Sequence, residues 1–470
     1  MFITKNNNNP VIFKGNVFDE YKNIRNTSMY TTELFTRLKQ PPCYDIVTFS
    51  SSKNCNKIQN KSSIGISHSQ KVQLKQFLNH IEKKGIKYFI DHRLSNGLVL
   101  DRSPNSKTQP SGLAAEMASI AATGYGLTAL VLAAEKNMIP KEQAKEWVLE
   151  SLKFVETHTP KINGGWLAHF VDSKTGEIYK DTEVSSVDTA LFFFNAFIAA
   201  EYFGGEVRDQ VNKMFNKIDF DLMLTQDNQL PDSKAFSLGF HIKDGKREFI
   251  NYKWDEYSEG ILVPLLALGS DKVTDSVWSE GWNRSKQWEY NKKKSFVSLP
   301  LFTYYYPHGL LDLKDKVDIK GDNFWQSSIN AVQMQQDFCK DKGYPQGIFG
   351  ITACDGPNGY QPYQPAGTEE YPAHDGTIAP PAIVACLPFA EKEVSSLIDF
   401  IKKNKLDNDE YGLCNAYNVK TGWKTGDALA IDIGSMLLMT DQYQSGLIYK
   451  LSNRSSMVNK ILNRAGFKKV

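Results

Sequence analysis

Acidic residues occur where several apolar segments of this sequence begin. Glu183 and Asp188 open one segment, Glu259 opens another, and Asp375 and Asp432 head two more. Carboxyl groups that converge on one cavity can cleave a glycosidic bond, because one protonates the leaving oxygen while another activates water. Acids at the first turn of a helix also cap it and complement its dipole. Each residue taken alone therefore has a structural interpretation beside the catalytic one.

A glycine- and aspartate-rich stretch, residues 347–381, carries further groups suited to a sugar. Its glycines and asparagines permit tight turns, while Asp355 and Asp375 can accept hydrogen bonds from hydroxyl groups. The ring of Tyr360 offers a flat face to a pyranose. Other aromatic residues beside the acids could stack in the same way: Trp166, Trp254 and Tyr257.

Two kinds of helix alternate along the chain and would position these groups. Amphipathic helices with a charged face are predicted at Val72–Phe89, Lys141–Thr157, Glu206–Lys217, Glu391–Lys403 and Ser445–Arg464. Helices that are apolar on nearly every side are predicted at Met117–Ala134, Val187–Phe203, Glu259–Leu268, Ile378–Pro388 and Ile433–Met439. Half-exposed helices that cover fully buried ones indicate an all-α fold, an (α/α)6 barrel, with the acids at one mouth of the inner ring.

Two apolar stretches and the first part of the chain depart from this alternation. Phe236–Ile242 and Phe296–Tyr306 are predicted to be strands or extended loops, so we expect a small inserted sheet. Residues 1–68 are rich in Asn, Ser and Lys, and are predicted to be a partly disordered appendage with one short helix near Tyr30–Leu38. Residues 69–470 would then form the barrel domain.

The composition argues against several classes of partner. The net charge is +2 and the body of the chain has no basic block, so nucleic acid is not expected. The longest apolar run is far shorter than the ~20 residues of a membrane span, so no membrane is expected either. The six cysteines lack CxxC spacing and the chain lacks an HExxH motif, so no metal or cofactor is expected, although a Ca²⁺ ion at an aspartate-rich loop is left open. We expect a monomer.

Several ordered motifs resemble those of one family. They are Gly97–Arg102, Ala118–Leu127, Glu183–Leu191, Tyr257–Gly260, Leu266–Ser270, Leu301–Thr303 with His308, Thr352–Pro357 and Asp375–Pro380. In order and spacing they resemble the glucoamylase-like family of bacterial proteins, which includes endo-β-1,2-glucanases and domains of cyclic β-1,2-glucan synthases. The resemblance extends from Leu98 to Leu462.

This resemblance implies an (α/α)6 catalytic domain over residues 69–470 and assigns roles to individual residues. Glu259 matches the position proposed as general acid, and Asp188 matches an acidic position of the active-site cluster. Residues implied to lie beside them or to line the sugar subsites are Asp101, Arg102, Trp166, His169, Asp181, Glu183, His308, Asp355 and Asp375. The chain departs from the family at Asp432-Ile-Gly434, where Asp-Gln-Gly is usual, at Gly260, where alanine is common, and at Asp271, which replaces a proline.

The leading functional hypothesis is a glycoside hydrolase that acts on a glucose polymer or its oligosaccharides. An α-glucan such as glycogen or starch is favoured, in the manner of an amylase or glucoamylase. The N-terminus has no signal-peptide apolar region and the cysteines follow a cytosolic pattern, so the protein is expected in the cytoplasm or exported without a classical signal, for example into a host cell as an effector. The alternatives are an endo-β-1,2-glucanase, a β-1,2-glucan transglycosylase and a non-catalytic carbohydrate-binding protein.

Overall fold

The computed structural model of the chain describes residues 67–296, 300–365, 374–407 and 409–470. The predictions for the N-terminal appendage, including the helix near Tyr30–Leu38, fall almost wholly on residues 1–66 and lie outside this part of the chain. None of the helices within the described ranges is both long enough and apolar enough to cross a membrane.

Within these ranges, six helices are buried on nearly every side and form an inner layer. They are Ile120–Glu135, Ser186–Phe203, Leu262–Ala267, Phe302–Leu310, Pro380–Ala385 and Ala430–Gln444. The first two approach each other closely at Gly124, where an added Cβ atom would lie 2.7 Å from Cα of Phe192. Small residues at such positions let inner helices pack backbone against backbone.

Amphipathic helices cover the inner layer. They are His68–Asp91, Lys141–His158, Gly205–Phe215, Phe324–Asp341, Glu391–Lys403, Leu447–Arg454 and Ser456–Arg464. In Lys141–His158 the buried residues Val148, Leu152 and Val155 recur at helical spacing and face the inner layer, while charged residues face water. The predicted all-α (α/α)6 barrel is therefore confirmed.

Shorter helical segments connect these layers. They are Leu113–Glu116, Phe220–Thr225 and Ser276–Ser279, together with the 3₁₀ turns Lys161–Asn163 and Glu259–Ile261. The turn at Glu259 runs directly into the inner helix Leu262–Ala267.

Short antiparallel ladders lie mostly where inner helices begin. The pairs at this end are Arg102–Pro104 with Asp427–Leu429, Met117–Ser119 with Phe170–Asp172, Val184–Ser185 with Gly239–Lys243, Ala353–Gly356 with Gly359–Pro362, and Thr377–Ile378 with Tyr417–Asn418. Gly239–Lys243 also pairs with Lys246–Phe249, which makes a three-stranded sheet. The other pairs are Gln287–Tyr290 with Lys293–Phe296 and Lys316–Val317 with Lys468–Lys469. Because three of these strands run directly into inner helices, the ladders fix where those helices start.

Two parts of the fold differ from the sequence analysis. The prediction of an extended Phe296–Tyr306 is wrong from Phe302 onwards, since Phe302–Leu310 is an inner helix in which every residue is buried. Its aromatic residues favour strands and Pro307 is unfavourable within a helix, so burial overrides local propensity there. The outer helix Phe324–Asp341 was not predicted. The small inserted sheet was predicted, although its strand begins at Gly239 rather than at Phe236.

Candidate active site

A pocket with about 790 Å³ of empty space, including the solvent at its mouth, opens at the end of the barrel where the inner helices begin. Its ionisable lining residues are Asp101, His169, Glu183, Asp188 and Glu259. Its other lining residues are Ser119, Phe170, Ser185, Val187, Leu191, Leu238, Trp254, Phe302, Tyr306, Ala353, Tyr360, Leu429 and Ile431. Segments that are far apart in the sequence thus converge on one cavity, as the sequence analysis expects for a sugar site.

Glu259 lies in the wall of the pocket at the first position of its 3₁₀ turn. Ser258 caps this turn by accepting a hydrogen bond from the backbone N–H of Gly260. The Glu259 side chain is buried, and its Oε2 atom has no hydrogen-bond partner in the part of the chain that the structure describes. Burial raises the pKa of Glu259 to about 8, the backbone N–H of the residue opposes the rise, and the negative charge of Asp188 adds to it. Glu259 therefore holds a proton at neutral pH.

Asp188 lines the same pocket from the first turn of the inner helix Ser186–Phe203. Ser185 caps this helix: its Oγ accepts a hydrogen bond from the backbone N–H of Asp188 and donates one of 2.5 Å to Oδ2 of the same residue. Burial raises the pKa of Asp188, whereas the charge of His169 and the Ser185 hydroxyl group oppose that rise. The N-terminus of the helix also favours the ionised carboxylate.

His169 lies between two of the pocket carboxylates. Its Nδ1 atom is 3.0 Å from Oε1 of Glu183, and its Nε2 atom is 3.9 Å from Oδ1 of Asp188. Burial alone would lower the pKa of His169, but the charges of Asp188 and Glu183 outweigh it and raise this pKa to about 9. The ring is therefore cationic at neutral pH.

Trp254 forms the wall of the pocket next to Glu259. Its indole Nε1 donates a hydrogen bond of 2.9 Å to Oγ of Ser186, and its ring lies against the backbone of Gly260. A Cβ atom at residue 260 would lie 2.0 Å from a ring atom of Trp254. The glycine that distinguishes this chain from the family pattern is therefore required by the position of this ring.

A buried ionic network supports the pocket beneath Asp101. Arg102 lies 3.6 Å from Asp101, 3.3 Å from Asp355 and 3.5 Å from Asp427. Burial opposes the charge of Arg102, but the three carboxylates outweigh it and raise the pKa of the guanidinium group. The ladder between Arg102–Pro104 and Asp427–Leu429 brings these distant residues together. Asp427 was not identified from the sequence, since its place in the network depends on that pairing.

Asp432 lies in the first turn of the last inner helix, and the residues on its N-terminal side, Leu429 and Ile431, line the pocket. Burial raises the pKa of Asp432 to about 7, and a hydrogen bond from the side-chain amide of Asn415 opposes that rise. Its place at the head of an apolar segment predicts this end of the barrel for Asp432. Asn415 gave no signal in the sequence, because it belongs to a loop without a distinctive motif.

Several predicted sugar-binding residues do not line this pocket. Trp166 is fully buried and donates a hydrogen bond to the backbone oxygen of Asp219. Tyr257 is stacked between other aromatic rings, and His308 is fully buried with its Nε2 atom 3.1 Å from Oγ of Ser328. These side chains support the barrel wall, so stacking of Trp166 or Tyr257 on a sugar is corrected to packing inside the protein.

Four other candidates lie around the pocket rather than in its lining. Asp181 is exposed, and its backbone oxygen is within hydrogen-bond distance of His241 Nδ1. Asp375 accepts hydrogen bonds from the hydroxyl group of Tyr363 and from the backbone N–H of Thr377, so it orders the loop before an inner helix. Arg102 and Asp355 belong to the ionic network described above. In the described ranges, no group of three or more His, Cys, Asp or Glu side chains is arranged to hold a metal ion.

The pocket therefore combines a protonated carboxyl group at Glu259, a second carboxyl group at Asp188 beside the cationic ring of His169, and an aromatic wall. Glu259 is suited to donate a proton and Asp188 to accept one. Trp254 and Tyr360, which were both predicted from the sequence, supply aromatic surface in the same cavity. This set of groups matches the general acid and base chemistry of glycosidic bond cleavage.

Residues 251–456 match the family described as "Putative glucoamylase". The exo β-1,2-glucooligosaccharide sophorohydrolase of Parabacteroides distasonis is 21% identical over 422 residues, which cover 80% of this chain. The aligned region spans only 56% of the length of that relative. The resemblance to the glucoamylase-like family is confirmed by these matches.

Solved structures share the same fold. The endo-β-1,2-glucanase of Chitinophaga pinensis, solved with sophorotriose and glucose, superposes with a TM-score of 0.73 at 20% identity, covering 84% of this chain and 98% of that one. A "putative glucoamylase" from Bacteroides uniformis superposes with a TM-score of 0.73 at 24% identity and the same coverage of both chains. At these identities the superpositions establish the fold.

Proposed function

We propose that this chain, with the sequence motifs and the barrel of the glucoamylase-like family, is a glycoside hydrolase that cleaves a β-1,2-linked glucan by general acid and base catalysis. One observation carries the proposal: two buried carboxyl groups, Glu259 and Asp188, face one pocket. Burial raises the pKa of both, to about 8 at Glu259, and the charge of His169 opposes that rise at Asp188. A hydrolase needs one proton donor and one proton acceptor at the same bond.

In the proposed reaction, the protonated Glu259 donates its proton to the glycosidic oxygen as the bond to the anomeric carbon breaks. Asp188 accepts a proton from the water that attacks this carbon. The proton balance closes because the acid loses one proton and the base gains one, and both are then exchanged with solvent. Asp101 and Glu183 accept hydrogen bonds from sugar hydroxyl groups, and Trp254 and Tyr360 stack on pyranose faces.

The relatives favour a β-1,2 linkage over the α-glucan that the sequence analysis preferred. The curated relative is named for action on β-1,2-glucooligosaccharides, and the Chitinophaga pinensis structure is that of an endo-β-1,2-glucanase. The preference for glycogen or starch rests on the name of the family and on the expectation of an intracellular polymer, not on a residue of the pocket. Delivery into a host cell and the monomeric state stay predictions.

The test is a panel of glucans that differ in linkage. Purified protein is incubated with linear β-1,2-glucan, glycogen, amylose and β-1,3-glucan, and the products are separated by size. We expect turnover of β-1,2-glucan at least tenfold above that of any other polymer. Turnover of glycogen alone would contradict the proposed linkage, and turnover of none of them, at several pH values, would contradict the proposed activity.

Transfer to another sugar is the second candidate reaction, because a sugar hydroxyl group can replace the attacking water. Products longer than the starting oligosaccharide would favour a transglycosylase. Proton NMR of the first product resolves the anomeric configuration in the same experiment. The intact acid pair disfavours the non-catalytic carbohydrate-binding alternative.

A further inference from the structure

His169 is held in position by hydrogen bonds on both sides of its backbone and by contacts of its ring. Its backbone N–H donates to the oxygen of Glu183 at 2.9 Å, and its own oxygen accepts from the N–H of Ile120 at 3.1 Å. The ring stacks on Phe170, with 3.8 Å between ring centroids and 23° between planes. With the Nδ1 atom held 3.0 Å from Glu183, the Nε2 atom is directed towards Asp188.

We propose that His169 is a positioning residue: its ring, set between Glu183 and Asp188, supplies a positive charge that keeps Asp188 ionised as the proton acceptor. This inference rests on the proposed function, because it assigns the base role to Asp188. It goes further by naming the group that opposes protonation at Asp188 and does not act on Glu259. In the part of the chain that the structure describes, no cation opposes the rise in the pKa of Glu259, whereas His169 opposes the rise in the pKa of Asp188.

The charges around the ring support this assignment. Three carboxylates face His169, those of Asp101, Glu183 and Asp188, and together they favour the imidazolium form. The charge of Asp101 is shared with Arg102, which lies 3.6 Å away on the side of the ionic network. Asp188 is the pocket carboxylate whose charge acts both on this cation and on Glu259.

The groups facing Asp188 act in opposite directions. His169 and the Ser185 hydroxyl group favour its carboxylate, whereas burial and the charge of Glu183 favour its acid form. Glu259 and the hydroxyl group of Tyr125 also face it, since the charge of Asp188 raises the pKa of both groups. Removal of the imidazolium charge therefore shifts the balance at Asp188 towards protonation.

The first experiment compares the pH dependence of kcat/KM in the native protein and in His169→Gln. Glutamine retains a side-chain donor for Glu183 but carries no charge. We expect the acidic limb of the profile, where Asp188 must lose its proton, to move up by about one pH unit or more, while the basic limb set by Glu259 stays in place. His241→Gln is the matched control, because His241 is outside the pocket lining and its Nδ1 contacts a backbone oxygen. A uniform fall at every pH with an unmoved acidic limb would overturn the proposal.

The second experiment needs no activity and therefore separates this inference from the proposed function. The histidine ring protons are followed by NMR between pH 5 and 10, with the His169 signal assigned by its loss in His169→Gln, and the titration is repeated in Asp188→Asn. We expect His169 to titrate above pH 8, and about one pH unit or more lower once the Asp188 charge is removed. Titration at or below pH 6.5, or no response to Asp188→Asn, would overturn the proposal even if glucan cleavage is observed. If no glucan is cleaved but both NMR results are as expected, the proposed function is wrong, whereas the proposed charge pair between His169 and Asp188 is supported.

Discussion

Gly260 and Trp254 are in direct contact, because the indole ring lies over the backbone of the residue that follows Glu259. An ideal Cβ atom on Gly260 would lie 2.0 Å from Cε3 and 2.2 Å from Cδ2 of this ring. The ring is also held from the other side by the hydrogen bond to Ser186. The wall of the pocket and the backbone that follows Glu259 are thus one packed unit.

Gly260→Ala is expected to displace the Trp254 ring and to lower both stability and activity. Overpacking of a buried site costs about 1–3 kcal/mol, and denaturant unfolding measures this loss. Gly426→Ala is the matched control, because an added Cβ at Gly426 would meet no atom within 4 Å. A Gly260→Ala protein that is as stable as the control would contradict the contact between residues 254 and 260.

Glu259→Gln is expected to lower kcat/KM about 10²-fold or more, because the variant has no proton to donate. The measurement is release of reducing ends from the best substrate of the linkage panel. Glu256→Gln serves as the control: Glu256 precedes Glu259 by three residues, pairs with Lys286 at 2.7 Å and does not line the pocket. Equal activity of the two variants would exclude Glu259 as the general acid.

The native enzyme is expected to lose activity as the pH rises through about 8. The general acid must be protonated, and the pKa of Glu259 is raised to about 8 by burial. The acidic limb reports the proton acceptor, whose pKa burial raises above its ordinary value. A rate profile between pH 4 and 10 measures both limbs. Full activity at pH 10 would rule out a carboxylic acid as the proton donor.

Glu259→Gln is also expected to stabilise the fold, and more so as the pH rises. The folded-state pKa of Glu259, about 8, lies above its unfolded value of about 4.5, so the folded protein binds more protons in between. Stability attributable to this residue is therefore present at low pH and is lost as the pH rises from about 4.5 to 8. Melting temperatures at pH 5 and pH 8 test this. The increase in melting temperature of the variant over the native protein should be larger at pH 8. A gain independent of pH would show that the carboxyl group is not held protonated by folding.

Arg102→Met is expected to destabilise the protein by about 3–5 kcal/mol, because three carboxylates would lose their buried counter-charge. Lys153→Met provides the comparison, since the Lys153–Glu206 pair is exposed and screened by solvent, so its loss should change the stability little. Urea unfolding of both variants measures the difference. Similar losses of stability in Arg102→Met and Lys153→Met would mean that the Arg102 network contributes little to the stability of the protein.

The barrel could be predicted because its inner helices carry an unusual signal. Runs such as Ile120–Glu135 and Ser186–Phe203 are apolar on every side, which an ordinary surface helix is not. The helix Phe302–Leu310 could not be predicted in the same way, because Tyr304, Tyr305 and Pro307 favour other structures locally and only the surrounding helices compensate. Tertiary packing, rather than local propensity, therefore determines the helical structure of Phe302–Leu310.

The site could be predicted where a side chain has both suitable chemistry and a helix start to fix its direction. Asp188 and Glu259 are at such starts, and both line the pocket. Side-chain direction is not encoded by residue type, which is why Trp166 and His308 are packed within the protein instead. Asp427 was missed because its role depends on a strand pairing between segments 325 residues apart.

The ladder between Arg102–Pro104 and Asp427–Leu429 determines when the pocket can form during synthesis of the chain. Arg102 pairs with Leu429 and Pro104 with Asp427. One side of the cavity therefore depends on a strand pairing between an early and a late segment of the chain. Pairings of such long range carry a large loop-closure entropy and form late in folding. A nascent chain that does not yet contain residue 429 can form helices but cannot form this strand pairing. The complete pocket is therefore expected to form in a final, cooperative step.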